Sequence, residues 1–441
     1  ILKDARMSAT SSPIQIGVIG CGNISDAYFN GAARSRLIKV KACADLNPAA
    51  AQAKATQHGV AAMSVSELLA DPDISIVINL TIPKAHAPVA RQILDAGKHV
   101  YLEKPLSASF EEAQALMAYA KGKGLRVGCA PDTFFGAGHQ ATRRVIDSGQ
   151  IGKAVGGAVA VLSHGAESWH PNPEFFYKPG GGPILDMGPY YVTQLVNLLG
   201  PVKRVAAIGT QGSTTRTITS EPLKGQVIHV EVSTNVNGTL EFESGANITM
   251  SASWDVWANK RSFIEIYGTE GSVLGVNPNF FGSVPMLCKP NEDWQPVDIT
   301  AHPFGVDNRP LRNGSMAADY RIVGVLDMAM AIQQKRPHRA SGDLAFHVLE
   351  AMETHPTLDA PQQRVVSIGR EVVSPPHADQ TQDPIHFTRR NLRTIAIVRR
   401  DLKRSGILHD PCGHLGNGNH EVRHLRGDRT VRHPVELGRL R

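Results

Sequence analysis

Two stretches of the chain hold residue types that can do oxygen and phosphate chemistry together. The first is Ile16-Gly17-Val18-Ile19-Gly20-Cys21-Gly22-Asn23-Ile24-Ser25. An apolar strand running into Gly20-x-Gly22 and then a helix from about Ile24 makes an anion site. Gly20 permits the tight turn and Gly22 lets backbone approach a pyrophosphate. The first helical N–H groups, from Asn23 and Ile24 onward, face the charge. Ser25 replaces the third glycine of the usual fingerprint and is small enough for close helix–strand packing. Asp45 lies 25 residues after Gly20, at the end of the next apolar run, where a carboxylate binds adenosine ribose hydroxyls. Leu46 and Asn47 follow it with no Arg, so the pattern predicts NAD over NADP. The second stretch is split. His99-Val100-Tyr101-Leu102-Glu103-Lys104-Pro105 delivers Glu103 and Lys104 at a strand's carboxyl end. In Gly180-Gly181-Gly182-Pro183-Ile184-Leu185-Asp186-Met187-Gly188-Pro189-Tyr190-Tyr191, a helix would place Asp186 and Tyr190 on one face. Each has an ordinary alternative: Lys104 as surface charge, Asp186 as helix cap, Tyr190 as core.

These residues need a scaffold, and the hydrophobic pattern supplies one. Over residues 13–133, short apolar runs (14–19, 40–44, 75–80, 100–102, 126–129) alternate with helix-like segments (66–69, 86–96, 110–121). That is the pattern of a parallel α/β sheet covered on both faces. Residues 134–370 change character. A helix over 139–147 leads to a strand over 156–162, an aromatic loop, and a helix over 184–199. Strands over 239–243, 248–254 and 262–267 follow, with Asn237-Gly238 and Ser244-Gly245 as hairpin turns. Helices over 316–334 and 343–354 close this part. It reads as an α+β domain on an open, mainly antiparallel sheet with helices on one face.

Composition narrows the class. The 441 residues are too many for one core. No apolar run is long enough to span a bilayer. The segment before Met7 reads as tag or upstream read-through, with no signal-peptide core. Five scattered cysteines argue against a disulfide framework and for a reducing cytoplasm. Of the net charge of +6, residues 371–441 hold 13 basic and 8 acidic groups, against 33 and 32 elsewhere. The basic character belongs to that tail, so the folded body carries no nucleic-acid footprint. The tail is expected to be poorly ordered. Its Cys412, His414, His420 and His424 match no strong zinc spacing, and no metal is expected.

The chain resembles the glucose–fructose oxidoreductase / inositol dehydrogenase (Gfo/Idh/MocA) family over about residues 13–370. The Gly20-x-Gly22 turn, Glu103-Lys104-Pro105 and the glycine-rich run into Asp186-x-Gly188-x-Tyr190 carry the likeness. Thr81-Ile82-Pro83 with His86 and Pro337-His338-Arg339-Ala340-Ser341-Gly342 support it. The resemblance implies a doubly wound Rossmann sheet, then an α/β domain whose open sheet joins copies into a homodimer or homotetramer. It implies a soluble oxidoreductase moving a hydride between NAD(P) and a secondary hydroxyl of a sugar, anhydrosugar or cyclitol. Thr81, Pro83, His86, Glu103 and Lys104 would lie on the cofactor side, with Lys104 also on the reacting hydroxyl and Asp186 orienting substrate. The acid/base position, often His, is Tyr190 here.

A free tyrosine titrates near ~10, and an ammonium beside it favours phenolate. Lys104 and Tyr190 are therefore expected to work as a pair. The loop over 164–179 should cover substrate, with Trp169 and His170 against a sugar face. Phe175, Phe176 and Tyr177 read as core. Asp132 belongs near the domain junction. Two rivals share the fold: an NAD-dependent glycosidase using transient oxidation, and a non-catalytic dinucleotide-binding regulator.

Overall fold

The computed structural model describes residues 12–311 and 314–353, and the backbone of 364–367. The tail expectations, including Cys412, His414, His420 and His424, lie outside these residues.

The first part runs β1 (Ile14–Ile19), α1 (Ser25–Ala33), β2 (Ile38–Ala44), α2 (Pro48–His58), β3 (Ala61–Ala62), α3 (Val65–Ala70), β4 (Ile74–Asn79), α4 (Pro83–Asp95), β5 (His99–Leu102), α5 (Phe110–Lys123) and β6 (Val127–Cys129). The strands pair in parallel in the order β3-β2-β1-β4-β5-β6. Near-continuous apolar runs suit strands covered on both faces, and Ile16, Val18, Ile76 and Ile78 are fully buried. Local signals start the helices: a Ser64/Glu67 capping box on α3, Ser109 on α5, and Asn47 with Pro48 on α2. The order reverses at β1/β4, which opens a crevice at the carboxyl ends of those strands.

The second part holds α6 (Ala137–Asp147), β7 (Ala154–Leu162), α7 (Gly182–Leu199), β8 (Val202–Thr210), β9 (Thr215–Thr217), β10 (Val227–His229), β11 (Asn235–Phe242), β12 (Asn247–Ser253), β13 (Ile264–Gly268), β14 (Ser272–Gly275) and β15 (Met286–Cys288). Then come β16 (Gln295–Pro296), β17 (Arg309–Pro310), β18 (Met316–Ala317), α8 (Val323–Gln333), α9 (Gly342–Glu353) and β19 (Arg364–Ser367). Nine strands form one sheet, β16-β15-β14-β13-β7-β12-β11-β8-β19, antiparallel except for β7 with β12. Ile248, Met250 and Ala252 alternate inward on β12, towards α7, which is buried along most of its length. No helix among the described residues is long and apolar enough to cross a membrane.

Three expectations need correction. Asn237-Gly238 is no turn but lies inside β11. A Cβ on Gly238 would stand 2.8 Å from the Ala206 carbonyl oxygen, so this glycine serves close strand approach. The helix expected from Met316 begins at Val323; Met316–Ala317 pairs with Arg309–Pro310 instead. Asp132 decides the start, its Oδ2 accepting from Ile322 N at 3.1 Å and Gly324 N at 2.9 Å. Phe176 and Tyr177 are core, but Phe175 is 51% exposed.

The loop between β7 and α7 is clamped by buried charge. Glu167 accepts from Arg216 Nη1 at 3.0 Å and from the Tyr177 hydroxyl, and Arg216 Nη2 donates to Asp255. Beneath this lies an apolar cluster of Ala166, Phe176, Tyr177, Ile218, Ile228, Val230 and Trp254. Removing one member of a buried ion cluster leaves the others uncompensated. Arg216→Met should therefore lower unfolding free energy by about 3–5 kcal/mol. Urea denaturation measures this, and a loss under about 1 kcal/mol, the range of exposed pairs, would show that the clamp is dispensable.

Candidate active site

The glycine turn has the shape of a phosphate cradle. Gly20 takes φ +101°, and a Cβ there would sit 2.6 Å from the Leu80 carbonyl, so the turn passes over the end of β4 only as glycine. No heavy atom lies within 4 Å of a Cβ built on Gly22, which leaves room for an anion. Helix α1 starts with no side-chain cap at Ile24; Ser25 N and Ala27 N donate to Gly22 O and Ile24 O, each at 3.1 Å, and the positive end of the helix faces the turn. Ser25 closes the turn by donating to Gly22 O at 2.7 Å. Asp26, in the first turn, is paired with Lys54 at 2.6 Å and His58 at 2.9 Å, which offsets its repulsion of a phosphate. Asp45 stands beside the turn, accepting from Cys21 N at 2.7 Å and Asn47 N at 2.8 Å. Each oxygen keeps lone-pair capacity for a ribose hydroxyl. Leu46, 96% exposed, and Ile82, 68% exposed, follow β2 and β4 and offer apolar surface to an adenine. These residues fit a dinucleotide.

The loops after β4 and β5 are tied together from below. Asn79 is fully buried; its Oδ1 accepts from Thr81 Oγ1 at 2.7 Å and its Nδ2 donates to His86 O at 3.0 Å. Pro83 opens α4. His86 is buried with Nδ1 2.6 Å from Pro105 O and Nε2 3.0 Å from Thr81 O. It therefore holds the two loops and faces backbone. Burial depresses its pKa, against the two carbonyls that would raise it. Glu103 is likewise engaged, accepting from the Tyr28 hydroxyl at 2.7 Å and Lys104 N at 3.0 Å.

Lys104 crosses to α7. Its Nζ donates to Asp186 O at 2.7 Å and Asp186 Oδ1 at 2.8 Å, and stands 5.2 Å from the Tyr190 ring centroid. Pro189 assists: it has no N–H for the Leu185 carbonyl and crowds it, loosening the turn whose next carbonyl Lys104 reaches. Burial would strip the ammonium of its proton, but Asp186 and Tyr190 outweigh it and hold Lys104 above the ordinary lysine range. Lys104 is thus an acid at rest. It faces the Tyr190 ring and bonds Asp186, so the expected Lys–Tyr pairing is through the ring face. Asp186 lies inside α7 past the cap and lines a cavity of about 230 Å³. Trp169, Phe176 and Trp254 form its aromatic wall; Asn259, Asn277 and Asn279 supply amides. His170 is not among the lining residues; it packs edge-on against Phe175 and Phe176.

Residues 14–130 match the oxidoreductase family with an NAD-binding Rossmann fold, GFO/IDH/MocA. Residues 139–274 match the GFO/IDH/MocA C-terminal domain. The chain belongs to the GFO/IDH/MocA oxidoreductase family. It is 28% identical over 298 residues to 1,5-anhydro-D-fructose reductase of Ensifer adhaerens, covering 64% of this chain and 82% of that protein. It is 32% identical over 146 residues to inositol 2-dehydrogenase of Ralstonia nicotianae, covering 32% and 43% respectively. Levoglucosan dehydrogenase in its apo form superposes with a TM-score of 0.69 at 22% identity, covering 82% of this chain and all of that one. At that identity the likeness speaks for the fold.

Within this GFO/IDH/MocA frame, several residues had no local sequence signal. Arg321 is buried before α8, donating to Asp319 Oδ2 at 2.8 Å and Asn279 Oδ1 at 2.9 Å. Asn79 could have been noticed as an amide ending an apolar run. Asp132, buried, is pushed up to about 6 by burial, against the two N–H groups it accepts. The folded state therefore holds its proton beyond the unfolded carboxyl, near ~3.9. Stability falls as pH rises from about 4 to 6 and is then level. Asp132→Asn keeps an acceptor oxygen and cannot ionise. Its unfolding free energy should lose that decline relative to the native chain; an identical slope in both would assign the pH dependence elsewhere.

Proposed function

We propose that this protein is an NAD-preferring dehydrogenase that oxidises or forms a secondary hydroxyl on a sugar, anhydrosugar or cyclitol. The observation that carries it is the meeting of Lys104, Asp186 and Tyr190 beside an aromatic and amide-lined cavity. Aromatic faces take the C–H side of a sugar ring, and amides bond its hydroxyls. The 28%-identical relative named for 1,5-anhydro-D-fructose supports this class.

The glycine turn, the open end of α1 and Asp45 would hold the dinucleotide. Its nicotinamide, when bound, supplies the hydride acceptor or donor. Asp45 with no neighbouring Arg favours a free 2′-hydroxyl over a 2′-phosphate. Asp186 orients the substrate. Lys104, kept charged, donates to the reacting oxygen. Tyr190 takes the hydroxyl proton. The named relatives are a reductase and dehydrogenases, and the three residues stand together, so neither the glycosidase nor the regulator is favoured. A second copy is proposed to pack on the outer sheet face, where Gly156, Ala158, Thr249 and Ser251 are small and uncharged; light scattering of the purified protein tests it.

Cofactor reduction across sugars, anhydrosugars and cyclitols, with NAD and NADP side by side, tests the main reading. Turnover with NAD is expected. Tight dinucleotide binding with silence across the panel overturns it. Tyr190→Phe should lower kcat by about 10²–10⁴-fold, with dinucleotide affinity unchanged. Asp45→Ala should cost about 1.5–3 kcal/mol of NAD affinity and narrow the preference over NADP, read by fluorescence titration.

A further inference from the structure

We propose that Trp257 is the platform of a second sugar subsite at the mouth of the cavity. The substrate is then a glycoside: its reacting ring enters the cavity and its second ring lies on the indole. This rests on the reading that the cavity takes a sugar.

The cavity is small. Its volume of about 230 Å³ lies below the roughly 300–1,000 Å³ of common ligand sites, so a unit attached to the reacting ring must project through the mouth. Ser163, Gly165 and Asn259 line the cavity, and in the chain they bracket His164 and closely follow Trp257. These two side chains stack, with ring centroids 3.3 Å apart and planes 18° from parallel. Val256 N donates to Ser163 O at 3.0 Å, and Asn259 Nδ2 to Leu162 O at 3.4 Å. The indole is thereby set beside the cavity's lip. With one face on the imidazole, Trp257 is still 82% exposed, which leaves its other face to solvent.

The platform stands on the buried clamp. His164 Nε2 is 3.8 Å from Glu167 Oε1. Glu167 pairs with Arg216, which also donates to Trp254 O at 3.2 Å and to Asp255. Asp255 accepts in turn from Thr234 Oγ1 at 2.7 Å. One ion cluster thus fixes both loops under the stack. An aromatic face held in place before binding loses little freedom when a ring settles on it. The neighbours suit a sugar better than a protein surface. Asn259, Lys260 and Arg261 are exposed, and Arg261 also lines the cavity. A lone aromatic face among amide and cationic donors matches a ring with C–H groups on one side and hydroxyls at its edge. The core of a protein interface is instead depleted of charged residues.

The test compares the native chain, Trp257→Ala and Trp257→Phe. Cofactor reduction with NAD is followed on glucose beside maltose, cellobiose and trehalose, and on galactose beside lactose and melibiose. Calorimetric titration of the same sugars into the NADH-loaded protein reads binding without turnover. At least one disaccharide should exceed its monosaccharide in kcat/KM by about tenfold, the scale of one aromatic stacking contact. In Trp257→Ala that ratio should fall to about one, while Trp257→Phe keeps most of it. The same ratio in the native chain and Trp257→Ala overturns the proposal. So does a change of oligomer size in Trp257→Ala by light scattering, which would put a second copy on the indole. Monosaccharide turnover with no gain from any disaccharide overturns this proposal alone. Disaccharide binding that depends on Trp257, without turnover, keeps the subsite and overturns the dehydrogenase reading. Neither binding nor turnover of any sugar overturns both.

Discussion

The site depends on how one ammonium is kept charged at low exposure. The Lys104 side chain is 16% exposed, where a lone charge would shed its proton. It keeps the proton because α7 brings both a carboxylate and a backbone carbonyl of Asp186 to it. That requirement fixes much else. The end of β5 must point across to α7, and Glu103, held by Tyr28 of α1, helps set the direction of the chain. His86 fastens Pro105 to the loop after β4. Pro189, awkward inside a helix, frees the carbonyl region that the ammonium uses. One buried charge thus sets the relative placement of the first sheet and α7.

Around that contact the molecule uses two kinds of rigidity. The cavity wall is stiffened by packing and buried charge: Trp254 and Phe176 lie on the apolar cluster, and Glu167 and Arg216 hold the loop above. The approach to α8 is stiffened by hydrogen bonds to Asp132. This carboxyl comes from the end of the first sheet and grips backbone 190 residues later. Local sequence does not encode such a grip; only the folded sheet brings the partners together.

That distinction explains what was legible. The glycine turn, Asp45, Lys104, Asp186 and Tyr190 sit in short runs whose chemistry depends on neighbours; the structure sets Asp45 beside the turn and brings Lys104 to Asp186 and the Tyr190 ring. The sheet alternation was readable for the same reason, because period and turn residues are local. Arg321 and Asn279 were not readable, and Asp132 could be placed only near the domain junction, because each acts through a contact far away in sequence. Asn237-Gly238 misled because a dipeptide suited to a turn also suits close strand approach. His170 packs edge-on against Trp169, Phe175 and Phe176, contacts set by backbone turns that leave no periodic mark.

The balance of charge around Tyr190 has a consequence for catalysis of any sugar oxidation here. The Lys104 ammonium stands 5.2 Å from the Tyr190 ring centroid and is held by Asp186, which also lines the cavity, while Arg321 is held by Asp319. The ammonium is in place before any negative charge develops beside it. In a water-poor site, fixed dipoles and charges aimed at a developing oxyanion are worth far more than in solvent. They also need no reorientation as the reaction proceeds. An alcohol losing its proton passes through such an oxyanion. The cost of assembling the cations is met during folding, by Asp186 and Asp319, before any substrate arrives.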